Sequence, residues 1–412
     1  MSKACRLPNN LFVIVILLSR VAPTAFAQTA PGEPDPAKVR VRIGPLWLNP
    51  TLALGNAGVD TNVFNEADQL APKQDFTVTV TPATDLWLRF GRTWLNGTIK
   101  EDLVYYNKYA SERSANNSYK IGWLVPLNRL TLNAGADYLN TRERPGFEID
   151  ARSQRKELGY NGAVEIRALS KTFFGLRGER RKVNYDSVAT FAGVNLHDAL
   201  NRTMTTGALT VRHQLTPLTS LTFDVSREQD RFDFSPLRDS NSTAISGGVK
   251  FDPFALIKGS ASFGYRDFQP LSTEVPGYNG STAALDLSYV AFGTTRLGVQ
   301  AIRDVQYSYD INQPYYLLTG IVGSITQQIF GPVDVVGRAG VQRLEYRNRV
   351  GGALGAVSER TDYVHSYGGG VGYRMGRDIR IGFNIDHNNR TSGLAQRQYN
   401  GLTYGTSVTY GL

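Results

Sequence analysis

From Leu46 onward, apolar and polar residues alternate along short segments separated by turn formers. Between 379 and 388, Ile379, Ile381, Phe383 and Ile385 fall on one side of an extended backbone, and Arg380, Gly382, Asn384, Asp386 and Asn388 fall on the other. A period of two marks a strand with one face in an apolar medium and one in a polar medium. The same partition sets Leu130, Leu132, Ala134, Ala136 and Tyr138 against Thr131, Asn133, Gly135 and Asp137. It returns in Leu221, Phe223 and Val225 against Thr222, Asp224 and Ser226, and in Leu285, Leu287 and Tyr289 against Asp286 and Ser288.

Short links at Gly91-Arg92, Leu127-Asn128-Arg129, Ser170-Lys171, Thr216-Pro217-Leu218, Leu256-Ile257, Gly293-Thr294, Gly331-Pro332 and Gly376-Arg377 alternate with longer polar stretches. They delimit strand cores at 45–56, 76–90, 93–107, 118–125, 130–142, 156–168, 173–185, 202–214 and 220–232. Nine more follow at 243–253, 259–268, 281–291, 295–308, 315–329, 333–347, 362–375, 379–389 and 400–412. The count is eighteen, or sixteen or twenty if a hairpin has been split or merged. An even number brings both ends to the same side, where the tight turns lie. A soluble sandwich alternates too, but not in one unbroken series with a regular swing between short and long connections. Residues 44–412 are therefore expected to form an all-β, transmembrane, antiparallel up-and-down β-barrel.

Composition removes the competing way across a bilayer. After the leader no segment approaches eighteen uninterrupted apolar residues, so helical spans are excluded, and a closed barrel is the remaining structure that satisfies every backbone group in lipid. At the N-terminus, Lys3 and Arg6 precede an apolar run from Leu11 to Leu18, and Ala25-Phe26-Ala27 is a small-x-small cleavage site. Residues 1–27 read as a cleaved export signal. Residues 28–43, with Pro31, Pro34 and Pro36, read as a flexible periplasmic segment. Cys5, the only cysteine, lies in the leader, so disulfides and thiolate chemistry are excluded from the mature chain. Losing three leader cations takes the net charge from +9 to +6. The basic residues are dispersed through strands and the chain is exported, which excludes nucleic acid as a partner.

Tyr105, Tyr106, Tyr138, Tyr307, Tyr309, Tyr315, Tyr316 and Tyr373 lie near strand ends, where interfacial girdles form. In the last strand Tyr404, Val408, Tyr410 and Leu412 share the apolar face. This ending resembles the C-terminal signal by which outer-membrane barrels engage their insertion machinery, with Leu412 where Phe is usual.

Residues 46–64 read Leu-Trp-Leu-Asn-Pro-Thr-Leu-Ala-Leu-Gly-Asn-Ala-Gly-Val-Asp-Thr-Asn-Val-Phe. This resembles the opening of the putative β-barrel porin-2 family, in which a Pro-containing first strand runs into Asp-x-Asn-Val-Phe, here Asp60 to Phe64. The resemblance continues through Phe76 to Pro82 and Leu95 to Tyr106, and elsewhere holds in pattern only. It implies an envelope channel and, because such barrels are often associated with exopolysaccharide secretion, a saccharide polymer and periplasmic export proteins as partners. From residue chemistry alone, Asp60 and Asn62 are turn-fixing residues that lock the first long loop.

Constellations for catalysis are missing. Asp386 and His387, or His365 and Ser366, are strand neighbours that point to opposite faces and cannot share a proton. No His or carboxylate cluster has ligand spacing, and the Gly368–Gly370, Gly372 run lies within a strand, where small residues permit curvature and close packing. The expectation is no enzyme and no cofactor. The informative surface is the polar face, where Arg167, Arg177, Arg181, Arg212, Lys250, Arg266, Arg296, Arg338, Arg374 and Arg380 meet Asp137, Glu165, Glu179, Asp224, Asp252, Asp286, Asp304, Asp334 and Asp386. Near-balanced charge suits hydroxyl-rich or weakly anionic solutes, although such residues also simply pair across strands. Basic groups at Arg152, Arg155 and Lys156, and at Arg177, Arg180, Arg181 and Lys182, are candidates to meet lipopolysaccharide or an anionic polymer. Three functions remain open: polysaccharide export, general solute porin, or a non-conducting structural or attachment barrel. Loops 143–155, 186–200 and 348–360 are long enough to fold into the pore.

Overall fold

The alternating segments are extended strands in a computed structural model of the protein, which describes residues 39–252, 255–350, 359–376 and 378–411. The barrel begins with β1 (Leu46–Asp60), β2 (Asp75–Phe90), β3 (Thr93–Tyr106), β4 (Ser114–Pro126), β5 (Leu130–Glu143) and β6 (Ser153–Arg167). It continues with β7 (Thr172–Tyr185), β8 (Arg202–Thr216), β9 (Thr219–Phe232), β10 (Ser240–Phe251), β11 (Ile257–Pro270) and β12 (Tyr278–Ala291). The last third is β13 (Thr295–Tyr307), β14 (Tyr315–Phe330), β15 (Val333–Arg347), β16 (Thr361–Met375), β17 (Ile379–Thr391) and β18 (Tyr399–Tyr410). Each strand runs antiparallel to its neighbours in sequence, and β18 returns to β1 with Leu52 opposite Tyr410 and Asp60 opposite Thr403. The sheet closes as an eighteen-stranded barrel.

Exposure is inverted relative to a protein dissolved in water. Leu209 is 62% exposed and Phe263 68% exposed on the outer wall, while Asp334 is 0% exposed inside. Closure explains how such a wall survives in lipid, because the ladder runs round the whole barrel and leaves no open sheet edge.

Boundaries differ from the sequence reading in three main ways. First, β1 passes through Gly55-Asn56 rather than ending there, because those residues form a bulge against both neighbours, with Asn56 at φ 51. Just beyond it a Cβ on Gly58 would lie 1.9 Å from the Tyr404 carbonyl oxygen, so the seam between first and last strands closes only around glycine. Second, β4 and β6 start at Ser114 and Ser153, ahead of 118 and 156, since the ladder continues above the apolar band where alternation stops. Third, the segment 28–43 is not flexible throughout: Val41–Ile43 is a short strand folded back on Leu46–Leu48, and Arg42 lies 4.8 Å from the Trp47 ring centre. The expected leader and its cleavage site lie outside the described residues.

One seam stops early. Pairing between β12 and β13 runs from Ala291 opposite Thr295 only to Ala283 opposite Arg303. Above that point the β13–β14 tip leans into the barrel, since Val305, Tyr315 and Leu317 pack on Phe268 and Val275 instead of facing outward. The Tyr307 hydroxyl meets Asp230 at 3.0 Å and Ser240 at 2.6 Å.

Candidate functional site

The lumen wall is lined by ion pairs that span two strands at once. Arg338 on β15 donates two hydrogen bonds of 2.6 Å to Asp386 on β17, across Gly368 of β16. A Cβ on Gly368 would stand 2.0 Å from an Asp386 oxygen, so the glycine leaves the groove in which the pair lies. Arg380 reaches Asp334 over Gly372 in the same way, at 2.5 Å, with Arg374 at 3.4 Å from that carboxylate. Arg181 holds Asp137 at 2.7 Å over Gly159. Arg212 forks onto Glu165 while its guanidinium sits 3.8 Å from the Phe173 ring centre. Arg266 is shared by Glu228 and Asp304, each at 3.1 Å. Two-point Arg–carboxylate contacts fix the plane of the guanidinium. Here they hold the side chains flat against the wall, so charge lines the pore without projecting into it.

At the end with the long loops, by convention the extracellular end, residues 144–152 between β5 and β6 cross the mouth. The Glu148 carboxylate accepts from the Ser308 hydroxyl at 2.6 Å and from the Tyr309 amide at 3.2 Å, on the β13–β14 tip across the barrel. Arg390 of β17 donates to Asp362 at 2.5 Å and to the Phe147 carbonyl at 2.8 Å, and lies 3.3 Å from Asp150. Arg397 pairs with Asp150 at 3.1 Å, and Arg360 with Asp362 at 2.5 Å. Beside this network a five-residue helix, α1 (Leu196–Leu200), is capped by the Asn195 side chain and packs Leu196 and Leu200 against Ile149, Phe232 and Tyr309. Loops 144–152 and 186–201 thus fold inward and meet the leaning hairpin tip to form a cap. Burial raises the Glu148 carboxyl above the ordinary range despite Ser308 and Arg397, and pushes the Arg238 guanidinium, which donates to the Ser308 and Tyr309 carbonyls, down to about 10.

A family model described as Putative beta-barrel porin 2 matches residues 34–411. The chain belongs to this family. No curated protein matches the sequence. Among solved structures, one titled bacterial polysaccharide outer membrane secretin is similar at 11% identity over 88% of this chain and 98% of its own, with a TM-score of 0.34. A BenF-like porin from Pseudomonas fluorescens Pf-5 is similar at 10% identity, again over 88% and 98%, with a TM-score of 0.47. The porin-2 barrel is thus a porin-like outer-membrane protein, of a kind generally not enzymatic.

Within the porin-2 barrel the residues singled out in the sequence take distinct places. Arg212, Arg266, Asp304, Arg338, Arg374, Arg380 and Asp386 join the wall pairs above. Arg177 and Arg296 are half-buried on the same rows of β7 and β13. Lys250 and Asp286 are exposed on either side of Ser260, and Arg167 lies 5.2 Å from the Phe173 ring centre. Asp60 accepts from the Asn62 amide at 2.9 Å, and the Asn62 side chain donates to the Glu66 and Asn400 carbonyls at 2.8 and 2.9 Å. The motif therefore ties the first long loop to β18 across the closing seam. Phe64 stacks edge-on with Tyr109 at 5.0 Å. Tyr404, Val408 and Tyr410 are exposed on the outer wall, and Leu412 lies outside the described residues. Residues 351–358 of the loop 348–360 do so as well.

Two groupings are corrected by alternation. Arg177 and Arg181 face the lumen while Arg180 and Lys182 face out. Arg152 is held under the first loop by the Val63 carbonyl at 2.8 Å, Arg155 turns inward to Glu157 at 2.6 Å, and Lys156 faces out. The histidine pairs considered earlier do not form, since Asp386 is taken by Arg338 and His365 is stacked between Tyr363 and Tyr367. Glu148, Asp150, Arg360, Asp362, Arg390 and Arg397 were missed. A signal existed: Phe147 and Ile149 are apolar residues inside a polar loop, which marks a loop that packs rather than one that waves in water.

Proposed function

We propose that this barrel is a capped conduit that carries a hydroxyl-rich saccharide polymer outward across the outer membrane. The supporting observation is the wall itself, where cations and carboxylates neutralise one another lying flat and leave Thr, Ser and Asn groups between them, as in Thr210 bonded to Asp224. Such a surface exchanges hydrogen bonds with sugar hydroxyls and offers few isolated charges to trap them, Lys250 and Asp286 being exceptions. The family's association with exopolysaccharide secretion supplies the cargo class. Transport on this reading requires the cap to move while the ladder stays intact.

The inward fold of residues 144–152 also favours a second reading, a general porin whose pore is narrowed for small solutes. Two measurements separate the readings. Deletion from the native host should abolish surface polysaccharide and leave its precursor in the periplasm, and unchanged surface polymer would end the export proposal. In planar bilayers a general porin gives steady ionic conductance, whereas a capped conduit gives rare openings, and a permanently silent barrel would be a structural one.

A further inference from the structure

Among the described residues, one arc of the outer wall gathers four exposed cations. Lys156 on β6, Arg180 and Lys182 on β7 and Arg227 on β9 are exposed and share strand parity with Leu158, Leu176 and Phe223, which face the bilayer. In register, Leu158 is opposite Lys182, Tyr160 opposite Arg180 and Gly207 opposite Arg227. Lys156 precedes Leu158 at the long-loop end, and Lys182 and Arg180 lie level with Leu158 and Tyr160, so the cations stand where the apolar band meets the girdle. Lys156, Arg180 and Arg227 make no hydrogen bond or ion pair with another described residue. Lys182 has Asp233 at 3.7 Å, both partly exposed. The outward positions of β6 to β10 carry no acid, unlike β3, where Glu101 accepts from Tyr119, and β11, where Asp267 faces out.

Charge of one sign at headgroup height is recognised by anionic headgroups. The arc spans three strand steps, about 14 Å at the usual interstrand spacing. A glycerophospholipid with a single phosphate is too compact to engage both ends of the arc. We propose that this surface binds a bisphosphorylated glycolipid of the outer leaflet, of the lipopolysaccharide type, with one phosphate near Lys156 and Lys182 and the other near Arg180 and Arg227. The site requires only that the barrel sits in an outer membrane and is independent of its cargo.

The test uses the full-length protein folded into phosphatidylethanolamine vesicles, doped in turn with lipid A, with phosphate-free lipid A, and with phosphatidylglycerol at equal charge. Retained glycolipid is read by native mass spectrometry after detergent extraction, for wild type and for Arg180→Gln/Lys182→Gln/Arg227→Gln. The expected result is retention of lipid A by wild type alone, lowered about tenfold or more in the variant, as loss of three near-surface cations implies. Equal retention by the variant overturns the site, as does equal retention of phosphate-free lipid A or full displacement by phosphatidylglycerol. If the triple variant does not fold, the wild-type preference among the three lipids decides, with Arg180→Lys/Arg227→Lys expected to retain it.

Discussion

The wall and the cap are built from the same residue types but held by different forces. In the wall, every strand is fixed by a ladder on both sides, and the Arg–carboxylate pairs lie across that ladder without bearing it, as Arg338 and Asp386 lie over Gly368. In the cap no ladder joins residues 144–152 to the hairpin tip. Glu148, Asp150, Arg390 and Arg397 make the connection through side chains, over a helix of five residues. Regions joined by few contacts open at lower free energy than the global fold. The cap is therefore the part that can move without unfolding the rest.

The sharpest way to break this comparison is at the closing seam. A side chain on Gly58 would collide with the backbone of Tyr404, which cannot swing away as a side-chain terminus can. Gly58→Val should cost on the order of 4 kcal/mol or more and prevent closure. It is checked by the heat-modifiable mobility of the folded barrel on gels, and normal mobility would show that the seam is looser than its geometry.

Next comes the cap. Cysteines placed at 148 and 308 should bridge on oxidation to a disulfide because the native side chains are 2.6 Å apart. Bridged protein should lose openings in planar bilayers while keeping its folded mobility, and reduction should restore them. Unchanged openings in the bridged protein would mean that the cap does not gate the pore.

A smaller effect is expected where a wall pair meets a side chain. Gly368→Leu meets side-chain atoms and no backbone, the Asp386 carboxylate and the Arg338 stem and guanidinium, which can rotate into the lumen. The barrel should fold, with single-channel conductance reduced because Arg338 now projects. Loss of folding would show that the pairs bear the wall rather than decorate it.

The difference between the two regions also sets how much was legible in the sequence. Alternation around Ile379–Ile385 or Leu221–Val225 is dictated locally by the medium on each face, so the strands and their number could be read off. Bulges are not periodic, so the first strand is expected from sequence to end at 56. The cap joins residues far apart in the chain, Glu148 with Ser308 and Arg390 with Asp150, and no spacing rule encodes such meetings. Sequence could show that loop 143–155 was long enough to fold inward, but not what it would touch.

The finest test of the cap is titration. Burial among Ile149, Tyr309 and Leu196 raises the Glu148 carboxyl above its ordinary value of 4.5, with desolvation outweighing Ser308 and Arg397. In an open cap the carboxyl would be solvated and ionise at the ordinary value. Proton affinity is then higher when the cap is closed, so protonation favours closure. Its contribution to the closed state is fully present below the ordinary carboxylate value and is lost as pH rises through the raised one. Opening frequency in planar bilayers should accordingly climb with pH across that window. Glu148→Gln keeps an oxygen to accept from the Tyr309 amide, turns its own N–H to the Ser308 hydroxyl oxygen and has no charge to desolvate, so it should hold the cap closed and flatten the pH profile. A profile that stays steep in Glu148→Gln would assign the titration to another group and leave the cap held chiefly by Arg390 and Arg397.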